Sequence, residues 1–242
     1  MKEITAFDIT TFNQQRLGYY QKYANEYYND AFRPHQGTEV ILNVLRDQAP
    51  SGVWLDMGAG PATLFWGLML NGIKEIHCSE LFEEGLYTLN DFFRSEDIPR
   101  CYQDVMDIYG ISPHTPARLR SLPRKYIIFD ALRNWPEDFH YTYDLITSFG
   151  VFGLTLTEEE YIQCFSYMKP YLKKGGVAVG ANWIRSQSFI DSGNTDNRFM
   201  TMKLVEEAAE RYGFKIQHLS EEVIRGDSNY NKVIVWSLQS IS

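Results

Sequence analysis

From Val53 onward the chain alternates short apolar runs with stretches whose apolar residues recur every three to four positions. The run Val53-Trp54-Leu55-Asp56-Met57 predicts a strand buried on both faces, because it is apolar without alternation. Pro61 suits the first turn of a helix reaching about Leu70, since a helix's first N–H groups have no internal partner. Lys74 to Ser79 predicts a second strand and Phe82 to Arg94 a second helix. Tyr126 to Phe129 and Tyr143 to Phe149 predict further strands. Glu158 to Leu172 reads as a helix with Tyr161, Phe165 and Met168 on one face, and Lys173-Lys174-Gly175-Gly176 as a turn into a strand at Val177 to Ala181. A helix at Met202 to Tyr212 precedes two last strands, Phe214 to Leu219 and Lys232 to Leu238, which have no helix between them and can pair antiparallel. Alternation of this kind predicts an α/β fold, a mostly parallel sheet with helices on both faces and an antiparallel last strand.

The first 48 residues have a different texture. Phe7 to Tyr28 is polar and rich in Phe and Tyr, which predicts one or two helices ending before Arg33-Pro34. Gln36 to Asp47 places Val40, Ile41, Val44 and Leu45 on one helical face. The expectation is one domain over residues 1–242, with 1–48 as a helical cap on an α/β core at 49–242. Pro99 to Lys125 has the weakest pattern, interrupted by Pro113, Pro116 and Pro123.

Composition narrows the options. A chain of 242 residues can bury a real core without disulfide or metal staples. Its net charge of −8 argues against nucleic acid as a partner, and the basic cluster Arg118, Arg120, Arg124 and Lys125 reads as a solvated helix end. Cys78, Cys101 and Cys164 form no CxxC pair, so reduced thiols, no metal site and a cytoplasmic setting are expected. The longest apolar stretch, Thr63 to Leu70, is far below the ~20 residues that span a bilayer. A monomer without membrane partners is the resulting expectation.

The sharpest local signal is Asp56-Met57-Gly58-Ala59-Gly60-Pro61, at the end of the first central strand. Gly58 and Gly60 permit a tight turn and close approach of a ligand to backbone. Glu80 follows Gly58 by 22 positions and ends the second strand, where an acid can accept both hydroxyls of a ribose. A dinucleotide site wants a third glycine where Thr63 stands. Asp56 instead suits a ligand bearing an ammonium group.

Asp-x-Gly-x-Gly with a distal Glu80 resembles the S-adenosylmethionine (SAM) site of class I methyltransferases. Lys173 to Gly176 resembles the turn before that superfamily's fifth strand, and Phe129-Asp130-Ala131 the strand end that meets adenine. Tyr23-Ala24-Asn25-Glu26-Tyr27-Tyr28, together with the Gly-x-Gly-Pro turn and the Pro99 to Lys125 insertion, is similar to the nicotinamide/phenylethanolamine/indolethylamine N-methyltransferase family. The resemblance implies a Rossmann-like sheet and a cofactor set of Tyr28, Asp56, Gly58, Ala59, Gly60, Thr63, Glu80, Leu81, Asp130, Ala131 and Phe149. It implies Tyr28 at the SAM carboxylate and Tyr23 over the methyl-transfer centre. Family substrate positions fall on Asn182, Ser186 and Phe189, and another family acid on Gly153. The acids that would embrace a cationic amine are thus missing.

Methyl transfer from a sulfonium is an in-line displacement governed by positioning. His35 is one candidate base, weighed against an ordinary hydrogen-bonding role, and Tyr23 and Asn182 are candidate positioning groups. His114 and His140 sit in polar loop-like stretches, and Glu158-Glu159-Glu160 suits a helix start. No base stands out, which fits a neutral nitrogen nucleophile. Tyr23, Phe152, Trp183 and Phe189 could line a flat apolar pocket, whereas Arg185 and Arg198 could meet an anionic group. Thr147-Ser148-Phe149-Gly150 lacks the Asn/Asp-Pro-Pro-aromatic pattern of enzymes that methylate nucleic-acid bases or protein glutamine. The expectation is therefore a SAM-dependent small-molecule methyltransferase acting on nitrogen. An O-methyltransferase of a phenol or carboxylate and a non-catalytic SAM-binding protein are the alternatives.

Overall fold

A computed structural model describes residues 2–136 and 139–241. The central strands are β2 (Ser51–Met57), β3 (Gly72–Glu80), β4 (Arg124–Ile128), β5 (Tyr143–Phe149) and β6 (Leu172–Arg185), all mutually parallel. A short β1 (Lys2–Ile4) adds antiparallel to β4, β7 (Phe214–Val223) lies at the opposite edge, and β8 (Tyr230–Ser240) is inserted antiparallel between β6 and β7. The order is β1-β4-β3-β2-β5-β6-β8-β7. The chain winds outward from β2 to β4 and then restarts at β5. A crevice therefore opens at the carboxyl ends of β2 and β5, where such sheets bind ligands.

Helices α1 (Gln14–Tyr28), α2 (Thr38–Gln48), α3 (Thr63–Gly67), α4 (Glu83–Arg94), α5 (Arg100–Tyr109) and α6 (Thr115–Ser121) belong to the first half of the chain; α7 (Glu158–Met168), α8 (Gln187–Asp191) and α9 (Met202–Tyr212) belong to the second. One apolar core gathers α2 to α6 on one face of the sheet, with Leu42, Leu45, Phe65, Leu86 and Leu89 at its centre. The other gathers α7 and α9 on the opposite face, around Phe152, Tyr161, Phe165 and Trp236. Gly180 is required there: a Cβ on it would stand 2.0 Å from Trp236 Cζ2. The helices of this second layer start where the sequence expects, because Thr157 Oγ1 accepts from Glu160 N and Thr201 Oγ1 from Leu204 N.

Several elements depart from the sequence pattern, each for a local reason. The helix expected from Pro61 to Leu70 contracts to α3, after which Leu68, Met69 and Leu70 donate to carbonyls three residues back. Gly67 sits there against Leu119 and Trp54, leaving little room for a side chain. The helix expected to Leu172 ends at Met168, because Pro170 cannot continue the ladder and a tight turn follows. Lys173 to Gly176 is not a separate turn but lies inside β6, whose register with β5 slips between Tyr143 and Leu145. Prolines 99 and 116 open α5 and α6 rather than breaking helices, which is where a missing N–H costs nothing. No described helix is long and apolar enough to cross a membrane.

Candidate functional site

The glycine turn folds back onto β3. Gly58 and Gly60 adopt φ of +59° and +47°, in the left-handed region that glycine enters without penalty. Ala59 N donates to Ser79 O, and Gly60 N donates to Glu80 Oε1 at 2.8 Å. A Cβ on Gly60 would meet nothing closer than 3.9 Å, so this side of the turn faces open space. Gly150 after β5 (φ +90°) is likewise open, whereas Gly58 is covered by the Val151 side chain.

Glu80 ends β3 with both oxygens engaged: Oε1 by Gly60 N, Oε2 by Leu81 N at 3.1 Å and by the Tyr20 hydroxyl at 3.2 Å. Burial raises its pKa, and these three donors partly offset that. Tyr20 went unnoticed in the sequence; it sits three residues before Tyr23 and seven before Tyr27, one face of α1. Asp56 is buried at 2% exposure, with Oδ2 accepting from Thr63 Oγ1 and Oδ1 from Thr147 Oγ1, each at 2.6 Å. Trp54 Nε1 donates in turn to Thr147 Oγ1 at 2.8 Å. Burial pushes the Asp56 carboxyl up to about 7 despite the two hydroxyl donors, and the nearby Glu80 adds to the rise. Asp56 therefore ties the turn helix to the sheet, each of its oxygens accepting one hydroxyl.

Asp130 Oδ1 accepts from Leu132 N at 3.0 Å and its other oxygen lies 3.8 Å from Arg133 Nε. Ala131 is buried, and Leu81 is 48% exposed on the rim.

A cavity of about 200 Å³ is bounded by α1 and the loop after it and by the ends of β5 and β6. Its walls are aromatic: Tyr23, Tyr27, Tyr28, Phe32, Phe65, Trp66, Phe149, Trp183 and Tyr230. Trp66 lies 4.5 Å from Phe149 and Tyr23 4.8 Å from Tyr27, centroid to centroid. Trp183 is oriented by its Nε1–H, which donates to Gln36 O at 3.2 Å. Burial raises the pKa of both Tyr23 and Tyr28, so both phenols stay protonated near neutrality. Arg33, Arg185 and Asp227 are the charged residues in the lining. Asp227, Tyr230 and Asn197 arrive from loops and strands far along the chain, with no local signal to announce them.

Of the four residues expected to line a pocket, Tyr23 and Trp183 face this cavity, together with Tyr28 and Phe149 of the cofactor set, while other candidates lie elsewhere. Phe152 is fully buried in the second core, its ring 6.1 Å from Trp236. Asn182 is fully buried behind the wall, its Oδ1 accepting from Tyr161 OH (3.0 Å) and Trp236 Nε1 (3.2 Å). Because both partners donate, Oδ1 is fixed as the oxygen, and Nδ2 is left without a partner beside Gly153. Ser186 caps α8, accepting from Phe189 N and donating to Ser228 O at 2.6 Å. Phe189 packs on Tyr230 from outside the lining. His35 is exposed in a left-handed turn (φ +63°), its N–H held by Glu39 and its carbonyl by Arg225 N. Arg198 is bound to Asp196 and is absent from the lining.

No family model and no curated protein sequence matches this chain. Solved structures do match. N-methyltransferase NodS from Bradyrhizobium japonicum, in complex with S-adenosyl-L-homocysteine (SAH), aligns over 92% of this chain and 98% of its own, with TM-score 0.56 and 12% identity. Magnesium protoporphyrin IX methyltransferase ChlM from Synechocystis, with bound SAM, aligns over 98% and 99%, with TM-score 0.57 and 11% identity. A SAM-dependent methyltransferase from Clostridium acetobutylicum aligns over 95% and 99%, with TM-score 0.56 and 13% identity. The chain has the Rossmann-like α/β fold of class I SAM-dependent methyltransferases.

Proposed function

We propose that this protein transfers a methyl group from SAM to a small aromatic acceptor, at a ring or aryl nitrogen. The observation that carries the reading is the pairing of a ribose-type acid with an open glycine turn, Glu80 held by Gly60 N, in a chain that also forms an aromatic cavity at the ends of β5 and β6. Glu80 would receive the ribose hydroxyls in exchange for the Tyr20 phenol, the Gly58–Gly60 backbone would lie along the cofactor, Asp130 would meet the adenine edge, and Tyr28 the methionine carboxylate. Bound there, SAM supplies an electrophilic methyl group. The chain's own part is then to orient the acceptor and exclude water, which the Tyr23, Trp66 and Trp183 walls do. Proximity of this kind can supply ~7–11 kcal/mol.

The choice of nitrogen rests on the proton inventory. Among the described residues, no histidine lines the cavity, and the one acid that does, Asp227, accepts from the backbone N–H groups of Asn229 (2.7 Å) and Tyr230 (3.1 Å). A pyridine-like nitrogen has a free lone pair and needs no base. The resemblance to the nicotinamide/phenylethanolamine/indolethylamine family points the same way through Tyr23 and Tyr28.

Calorimetric titration with SAH, with NAD as control, tests the cofactor. Binding of SAH alone is expected. Glu80→Ala should then weaken SAH by ~1–3 kcal/mol through loss of the ribose acceptor. Binding of neither ligand, or unchanged SAH affinity in the variant, overturns the assignment. Base-stable methylated product from a pyridine or aryl amine supports nitrogen; a base-labile methyl ester contradicts it.

A further inference from the structure

The charges lining the aromatic cavity are not balanced. Arg33 and Arg185 face it against Asp227 alone, and neither arginine makes a salt bridge within the described residues. Asp227 accepts from two backbone N–H groups, both on Oδ1. Asp196, which also feels the charge of Arg185, is bound by Arg198, which engages one of its oxygens through Nε at 2.9 Å and the other through Nη2.

Arg185 is held in a particular way. It closes β6, its backbone N donating to Asn197 Oδ1 at 2.9 Å, and its Nη1 is spent on Thr195, through the carbonyl at 2.8 Å and the hydroxyl. Nε is buried without a partner, and no described group accepts from Nη2. In a guanidinium, Nε–H and one Nη2–H point the same way and form a flat two-donor edge that matches the two oxygens of a carboxylate. Leaving a charged donor buried and unpaired is costly, so the arrangement is poorly explained by packing alone. Thr195 and Asn197 fix the far end of the side chain and its backbone, while the carboxylate-matching edge is left unpartnered, its Nε covered, beside a cavity walled by Trp183 and Tyr230.

We infer that the acceptor is an aromatic carboxylate, its anionic group received by the Nε/Nη2 edge of Arg185 with Arg33 adding long-range attraction, while the ring lies between the aromatic walls. The inference rests on the cavity being the acceptor site of the function proposed above. Recognition of this sort discriminates strongly against the neutral amide of the same shape, because the amide leaves the arginine unpaired and presents an N–H group to it.

The test compares like-shaped pairs on the purified protein saturated with SAH: benzoate with benzamide, and pyridine-3-carboxylate with pyridine-3-carboxamide, titrated calorimetrically at neutral pH. The expected result is at least tenfold tighter binding of each carboxylate, falling to within about twofold in Arg185→Gln and retained in Arg198→Gln. Arg185→Lys, which keeps the charge and loses the paired edge, should retain only part of the preference. Equal or tighter binding of the amides by the native protein, or no binding of any of the four, overturns the inference, and this comparison needs no variant to fold. Failure of SAH to bind is a separate outcome that overturns the cofactor assignment; the carboxylate-against-amide comparison on the free protein then still decides whether Arg185 selects an anion.

Discussion

The N-terminal helix α1 and the strand β8 are held by opposite kinds of force. Val233 to Leu238 of β8 are buried one strand in from the edge of the sheet, wedged between β6 and β7. None of the fifteen residues of α1 is fully buried. Apart from Tyr28, which packs against Phe65, what fixes α1 is a set of polar anchors. Glu84, 3% exposed, accepts from Asn13 N (2.7 Å) and from Arg16; Tyr20 donates to Glu80; and Cys101 Sγ donates to Tyr28 O at 2.7 Å. Apolar burial is proportional to area and gives the sheet its stability. Polar anchors contribute less, but they can be exchanged one at a time for a ligand's groups. The part of the molecule that would cover a bound cofactor is thus the part that can yield without unfolding the rest.

Breaking the sheet side of this contrast has the largest expected effect. Trp236→Ala removes the ring that lies over Gly180 and beside Phe152 and Phe165, and should cost ~3–5 kcal/mol. A lowered denaturant midpoint with an unchanged slope is the expected reading; an unmoved midpoint would refute the central place given to this core.

The two regions should also answer pH with opposite sign. Asp56 has its carboxyl raised from 3.8 to about 7 by burial, so the folded state holds its proton more tightly than the unfolded chain. Its favourable contribution is complete below pH 3.8 and is lost as pH climbs to about 7. Global stability should fall across that window in the native protein and fall less steeply in Asp56→Asn. Equal slopes in the two proteins would show that Asp56 does not titrate there. Glu84 runs the other way. Burial raises its pKa, but its own backbone N–H, that of Asn13 and the Arg16 guanidinium outweigh burial and hold it below 4.5. The α1 anchor is therefore present above pH 4.5 and lost in acid.

Cutting that anchor with Glu84→Ala leaves Asn13 N and Arg16 without their acceptor, a local cost of ~1.5–3 kcal/mol. Faster amide exchange confined to residues 14–28 is expected, with β8 unaffected; uniform acceleration would mean that α1 unfolds only with the sheet. Tyr20→Phe is the mildest change. Removing a phenol that competes for Glu80 should leave SAH affinity equal or raise it severalfold. A loss of affinity would mean that Tyr20 belongs to the cofactor site instead.

Regular elements of this chain are legible wherever a local period is unbroken. Tyr143–Phe149 and Met202–Tyr212 have the bounds their patterns predict, because strand alternation and helix caps are decided by neighbours in sequence. Pro99 to Lys125 misleads because proline marks a helix's first turn as readily as its end, and composition does not distinguish the two. The site divides along the same line. Gly58, Gly60 and Glu80 announce themselves through a turn that only glycine enters easily and an acid at a strand end. Asn182, Phe152 and Ser186 lie on or near cavity-forming elements, yet their side chains are used up by Trp236, the second core and Ser228.

The strand–helix alternation, the parallel sheet and the glycine turn with its distal acid follow from residue type and local spacing. Which side chains face the cavity does not. Arg185 and Arg198 show the difference: the first closes β6 and the second lies in the loop between α8 and α9. One finds an acid two residues away and is neutralised by it, and the other finds only Thr195 and keeps a donor edge free. Partners from the loop between α8 and α9 settle that outcome, because a charge is satisfied by whatever lies within hydrogen-bonding reach in space.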